Sequence, residues 1–243
     1  MESDVEVYKI RDKGDYPPYR APKTVYCKSK DEFSEMVGQD FINDANRVTS
    51  NGEHYFVGLS HGVSPAGPYQ YVLNNFHQLK HPELLHFTCI NSRLSRQRGL
   101  EGVMDAKSFM KEMLSRKHIS KDQIVGRTLD RNNIQAYCKG IDEQIESVLK
   151  EMGKEGLDYV FVASDPKGQV AGITRFSSAF DSDRYIIVVD DTGEPELTIT
   201  PWFLKKSARL SFLATKSDKR RPLAWLYYRW GKMKQSPVFL RFI

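Results

Sequence analysis

Cysteine is scarce in this chain and unpatterned: Cys27, Cys89 and Cys138 are odd in number and none stands at metal-ligand spacing from another. A disulfide framework and a thiolate zinc site are excluded on that ground, and reduced thiols in a cytoplasmic protein are expected. No apolar run approaches a membrane span, and the first residues, Met-Glu-Ser-Asp-Val-Glu, are too charged for a signal peptide. There is no repeat and no low-complexity tract. Charge of one sign is also missing in strength: a net +5 suits a small anion as well as nucleic acid and does not choose between them. What is present is 243 residues that are 40% apolar, enough to bury a full core. Nothing marks a domain boundary, so a single domain over 1–243 is expected, with an irregular N-terminal arm over 1–28 holding one short strand at Thr24-Val25-Tyr26.

The most informative stretch runs from Tyr55 to Tyr69, where a short apolar run breaks into Ser, Gly and Pro. Residues 55–59 are too short and too apolar for an amphipathic helix and predict a buried strand of a parallel sheet. The turn Ser60-His61-Gly62-Val63-Ser64 leads into Pro65, a residue favoured at the first helical position, with Ser64 placed as N-cap. Free N–H groups and the positive dipole end at such a start make a site for an anion such as phosphate. An ordinary strand-to-helix turn explains the same residues.

The remaining segments alternate in kind. Ser29-Lys-Asp-Glu32 has capping-box spacing, and Phe33, Met36, Val37, Phe41 and Ala45 follow at helical intervals. Residues 69–79, 103–114 and 132–152 read as helices, the last with Ile134, Tyr137, Cys138, Ile141, Ile145 and Leu149 on one face and a glycine stop over 153–156. Strands are predicted over 84–90, 157–163, 184–189, 209–214 and 238–243. Thr200 opens a short helix at Pro201, and a last helix starts within 215–222. The strand 84–90 ends abruptly at Asn91-Ser92-Arg93, and Arg93, Arg96 and Arg98 make the next loop basic. Because ligands in open α/β sheets bind beyond the carboxyl ends of strands, Asn91 to Arg93 should lie near Ser60 to Ser64. The alternation predicts an α/β protein: a three-layer α/β/α, Rossmann-like fold on a mostly parallel, doubly wound sheet. Basic residues over 216–221 and Arg229 interleave with Trp225, Tyr227, Tyr228 and Trp230, a pattern that can bind single strands. Leu223, Trp225, Leu226 and Trp230 stand at helical spacing, however, and read as a buried face, so nucleic acid is not expected.

The order of these segments resembles the glucosamine-6-phosphate isomerase/deaminase and 6-phosphogluconolactonase family. Gly58-Leu-Ser-His-Gly-Val-Ser-Pro-Ala-Gly-Pro-Tyr69 is similar to the family's phosphate turn. The helix over 132–152 running into Leu157-Asp-Tyr-Val-Phe-Val resembles the deaminase approach to its catalytic loop, and Ser177-Ser178 sits where deaminases have a Ser-Ser pair. Residues 184–219, with Leu197-Thr-Ile-Thr200, look like the lactonase segment that ends in a phosphate-contacting Lys, which falls on Lys219. The resemblance implies a Rossmann-like fold, a phosphorylated sugar or sugar acid as ligand, no cofactor and no metal. It also implies phosphate contacts at Ser60, His61, Gly62, Ser64 and Lys219.

The departures lie at the catalytic positions. The family's carboxylate pair aligns with Asn91 and Ser92, and its catalytic-loop Asp and His and the following Glu align with Lys167, Gln169 and Thr174. An amide or Thr hydroxyl cannot take up a proton at neutral pH. In the turn, the family's second Gly is Val63, which restricts the backbone if that position needs a positive φ. Asp165 and Lys167 are nearby ionisable groups, the latter in a Pro-Lys-Gly turn typical of a solvated tip. Three readings follow: a binder of a phosphorylated sugar that has lost the acid/base residues or been re-purposed; an active isomerase, deaminase or lactonase with a rearranged site; and a protein-interaction scaffold. Homo-oligomerisation is left open.

Overall fold

Strands β2 (Tyr55–Leu59) and β5 (Tyr159–Ala163) are apolar at nearly every position because both of their faces are covered. The structure, a computed structural model, describes residues 24–93, 103–126, 133–163, 169–174, 177–190, 195–214 and 238–241. Around the two central strands lie β1 (Thr24–Cys27), β3 (Leu85–Cys89), β8 (Arg209–Ala214) and β9 (Val238–Arg241). They form a six-stranded sheet of order β1-β9-β8-β5-β2-β3, every pair parallel.

Side chains alternate across this sheet with period two. Tyr55, Val57, Leu59, Tyr159 and Phe161 enter one core with α1 (Lys30–Thr49), α2 (Ala66–Asn74) and α3 (Ala106–Ser115). Phe56, Val160 and Val162 enter the other with α4 (Ile134–Met152) and α5 (Pro201–Leu204). In the first core Phe41 meets Tyr159 edge-on at 5.5 Å and Tyr69 stacks on Phe109 at 4.7 Å. Each such buried side chain contributes about 1.5–3 kcal/mol.

The helix ends follow local chemistry. Ser29 caps α1 by accepting from the Glu32 N–H at 3.0 Å, and Glu32 returns a bond to the Lys28 N–H, one residue outside the expected box. Asp105 caps α3 and Asn133 caps α4, which ends at Gly153 inside the expected stop.

Several boundaries differ from expectation. Ser64 is not the cap of α2: Pro65 holds that position in a helical conformation and the helix starts at Ala66. It ends at Asn74, because a tighter 3-10 turn over Phe76–Gln78 takes over where a longer helix was expected. The arm's short strand is present as β1, paired with β9; residues 1–23 lie outside the described part, as does the last helix. The alternation reading also misses a second sheet. Asn91–Arg93 is a strand (β4) rather than a loop, and it pairs antiparallel with β7 (Glu196–Ile199), which pairs antiparallel with β6 (Ile186–Val189). The chain crosses from one sheet to the other at Ile90, whose N–H donates to Leu59 and whose carbonyl accepts from Ile199. No helix among the described residues is long and apolar enough to cross a membrane.

Candidate functional site

From β2 the chain moves outward to β3 on one side, whereas β5 and β8 extend the sheet on the other. The carboxyl ends of β2 and β5 therefore flank a topological switch point, where open α/β sheets place their ligand crevice. Ser60 stitches the two ends together: its Oγ accepts from the Ala163 N–H at 3.3 Å, and its carbonyl accepts from the Tyr69 hydroxyl at 3.0 Å.

Asn91 is the hub of the crevice. Its Oδ1 accepts from Ser60 Oγ at 3.2 Å and from the His61 N–H at 2.9 Å, while its Nδ2 donates to Glu196 Oε1 at 3.1 Å. Sequence reasoning missed Glu196, a buried carboxylate brought in by β7. The signal that could have found it is slight: a charged residue directly before the apolar run Leu197-Thr-Ile-Thr200. Its carboxylate lies against Gly172, where a Cβ would stand 2.6 Å from Glu196 Cδ. Gly172 (φ 83°) and Ala171 (φ 51°) form a tight turn between Val170 and Ile173, and the Ala171 carbonyl accepts from Thr198 Oγ1 at 2.5 Å. That bond ties the small hairpin to the second sheet.

The phosphate-turn residues have distinct placements. Ser60 and Ser64 are buried. Gly62 carries the turn's positive φ, 133°, a conformation that favours glycine, whereas Val63 is not left-handed and leaves its side chain 63% exposed. His61 turns inward: its Nδ1 stands 3.4 Å from Asp105 Oδ2, with the two side chains 18% and 3% exposed. Burial alone would lower the imidazole's pKa, but the Asp105 hydrogen bond and the neighbouring Cys89 thiol push it up to about 9. Burial would likewise raise Asp105, yet the His61 bond and the Ser108 N–H hold its carboxyl well below the usual carboxylate range. At neutral pH the pair is an ion pair, not a neutral contact.

Of the aligned catalytic positions, Asn91 is central, while Gln169 and Thr174 flank the Val170–Ile173 turn and are engaged with neighbours. Lys167, Lys219, Asp165, Arg96, Arg98 and the basic-aromatic stretch over 216–230 lie outside the described residues. Ser177 caps the 3-10 turn Ser178–Asp181, accepting from the Ala179 N–H at 3.2 Å. Among the described residues, no group of three or more His, Cys, Asp or Glu side chains is placed to hold a metal ion.

No protein-family model matches the sequence, and no curated protein matches it. Solved structures do. The 6-phosphogluconolactonase of Trypanosoma cruzi superposes with a TM-score of 0.72 at 16% identity, covering 91% of this chain and 94% of that one. The Thermotoga maritima 6-phosphogluconolactonase gives 0.70 at 18% identity over 91% and 100%. A monomeric glucosamine-6-phosphate deaminase of the NagB superfamily gives 0.64 at 13% identity over 90% and 96%. The chain therefore has the fold shared by the 6-phosphogluconolactonases and that deaminase.

Proposed function

We propose that this protein binds a phosphorylated sugar or sugar acid beyond the carboxyl ends of β2 and β5, with the β2–α2 turn holding the phosphate, and that it does so without the acid/base set of the enzymes whose fold it shares. The fold supports the ligand class, since its structural neighbours are named for 6-phosphogluconolactone and glucosamine-6-phosphate chemistry. The observation that carries the loss of catalysis is Asn91. An amide stands where the resemblance puts a proton-accepting Asp, and both acceptor positions and one donor position of that amide are taken by Ser60, His61 and Glu196. The protein is thus a sensor or a partner of an active enzyme rather than a working deaminase, and its three free thiols suit the reducing cytoplasm.

The experiment is thermal stability of the full chain against glucosamine-6-phosphate, 6-phosphogluconate and related compounds, with inorganic phosphate as control. A ligand at a hundred times its Kd should add about 2.7 kcal/mol, readily seen as a rise in Tm. The rise should vanish in Ser64→Ala/Gly62→Val. No shift with any compound sinks the reading and leaves a protein-interaction scaffold.

One observation favours a second reading, an active enzyme with a rearranged site. Glu196 and the His61–Asp105 pair put acid/base groups back into the crevice at positions the resemblance does not assign. Turnover of either sugar phosphate that is lost in Glu196→Gln would establish it.

A further inference from the structure

Glu196 arrives in the crevice on β7 with its carboxylate against Gly172, where a Cβ would stand 2.6 Å from Cδ. The Ala171-Gly172 turn is tied to the same strand, since Thr198 Oγ1 donates to the Ala171 carbonyl at 2.5 Å. Backbone therefore confines the carboxylate on one side, and on another its Oε1 accepts from Asn91 Nδ2 at 3.1 Å. A carboxylate has acceptors only, so the amide must present its NH2 group to Glu196 and its oxygen away from it. There Asn91 Oδ1 takes the Ser60 hydroxyl at 3.2 Å and the His61 N–H at 2.9 Å. With the amide turned round, its NH2 would confront the His61 N–H, donor against donor. His61 is thus held at both ends, by Asn91 at the backbone and by Asp105 at the ring. The chain bends next at Gly62 (φ 133°) and leaves Val63 exposed at the tip of the turn.

We infer that Glu196 is the positioning residue of the β2–α2 turn: acting through Asn91, it fixes the orientation of the amide and with it the path of the backbone from Ser60 to Gly62. It touches no ligand and moves no proton in doing so. The coupling runs from one sheet to the other, because Glu196 stands on β7, Asn91 opens β4 beside it, and the turn leaves β2 of the parallel sheet. Its consequence for a phosphorylated ligand rests on the binding proposed for the turn, whereas the hydrogen-bond chain does not. The role also differs from that of an acid/base group. A positioning residue has only to accept a hydrogen bond, which a glutamine oxygen can do, but an amide cannot take up a proton at neutral pH.

The test is backbone amide hydrogen exchange of the full chain by NMR, together with the rise in Tm given by inorganic phosphate and by glucosamine-6-phosphate. Glu196→Leu removes the acceptors at similar bulk. In it the His61 N–H should exchange at least about tenfold faster than in the native chain, while the Val57 and Val162 amides of the central strands are unchanged. The same variant should need at least about tenfold more ligand for an equal rise in Tm. Glu196→Gln retains one acceptor oxygen and should stay within about threefold of the native chain in both readouts. Asn91→Asp serves if Glu196→Leu does not fold: it keeps acceptors for Ser60 and His61 but sets a second carboxylate against Glu196, and should lower Tm. The swap Asn91→Asp/Glu196→Gln, which restores a donor between the two side chains, should recover at least about half of that loss. The inference is overturned by His61 exchange that Glu196→Leu leaves unchanged, by Glu196→Gln as impaired as Glu196→Leu, or by a swap whose loss is the sum of its parts. A ligand-dependent rise that survives Glu196→Leu intact overturns it with binding upheld. No rise in the native chain sinks the binding reading instead, and His61 exchange then decides the positioning.

Discussion

At the amino end of the parallel sheet three carboxylates face three cations; at the carboxyl end the polar groups meet through an amide and an imidazole. Asp40 pairs with Arg209 and accepts from the Tyr159 hydroxyl, and Asp44 pairs with Arg47 at 2.8 Å and accepts from the Tyr55 hydroxyl at 2.6 Å. Asp158 takes the Phe56 N–H at 2.7 Å and Lys154 Nζ at 2.6 Å. Tyr55, Tyr159 and Arg209 are the first residues of β2, β5 and β8, so these bonds anchor strand starts to α1 and, through Asp158 and Lys154, to the connection that follows α4. The two edges also treat histidine oppositely. His86 stands 3.0 Å from His54, and burial together with that neighbour's charge lowers it to about 4, whereas Asp105 and Cys89 overcome burial at His61. Desolvation acts on both rings, and the partner decides the sign. One edge is neutralised and structural; the other holds a charged pair at a crevice, which is where function is placed in this fold class.

Removing Asp105 should break the contrast most severely. Asp105→Ala strands a buried imidazolium and uncaps α3, and should cost about 3–5 kcal/mol by urea denaturation. The His61 titration should at the same time fall below its ordinary value in NMR. Asp158→Ala should cost less, about 1.5–3 kcal/mol, because one charge-assisted set is lost at a site that water can reach. It should leave any sugar-phosphate shift intact; its loss would mean that the amino-end anchors also shape the crevice.

The histidines set a two-sided pH dependence. His61 is raised in the fold, so its contribution is complete below its unfolded value of about 6.5 and is lost as pH rises towards about 9. His86 is lowered, so the unfolded chain binds the proton first and stability falls as pH drops from about 6.5 towards about 4. A maximum near pH 6.5 is expected in denaturation curves, with the alkaline limb on the order of 3 kcal/mol. His61→Gln should flatten the alkaline limb and His86→Leu the acid one. The latter, the smallest effect, should change stability at pH 7 by under about 1 kcal/mol. Limbs unchanged in these variants would assign the dependence to other groups.

The central strands, the α1 capping box and the glycine stop of α4 were legible because their causes are local: period, cap chemistry and short apolar runs. Ser60 and Asn91 could be placed near each other because adjacent parallel strands end together, and they do, 3.2 Å apart. Glu196 was illegible, since it reaches Asn91 across 105 residues through an antiparallel pairing that alternation alone could not reveal. Asp105 was not singled out: it fell inside the helix expected over 103–114, whereas it stands as the N-cap one residue before α3.

The sequence by itself determined the central strands and the long helices, and that Asn91, Lys167, Gln169 and Thr174 carry amide, amine and hydroxyl groups, because those facts reside in period and residue identity. Only the tertiary structure decided what surrounds Asn91 and His61. Packing α3 against the end of β3 puts a carboxylate beside His61, and a second sheet carries Glu196 to Asn91. Charges acquire their pKa values from what surrounds them in space, and that neighbourhood is assembled from parts of the chain that share no local pattern.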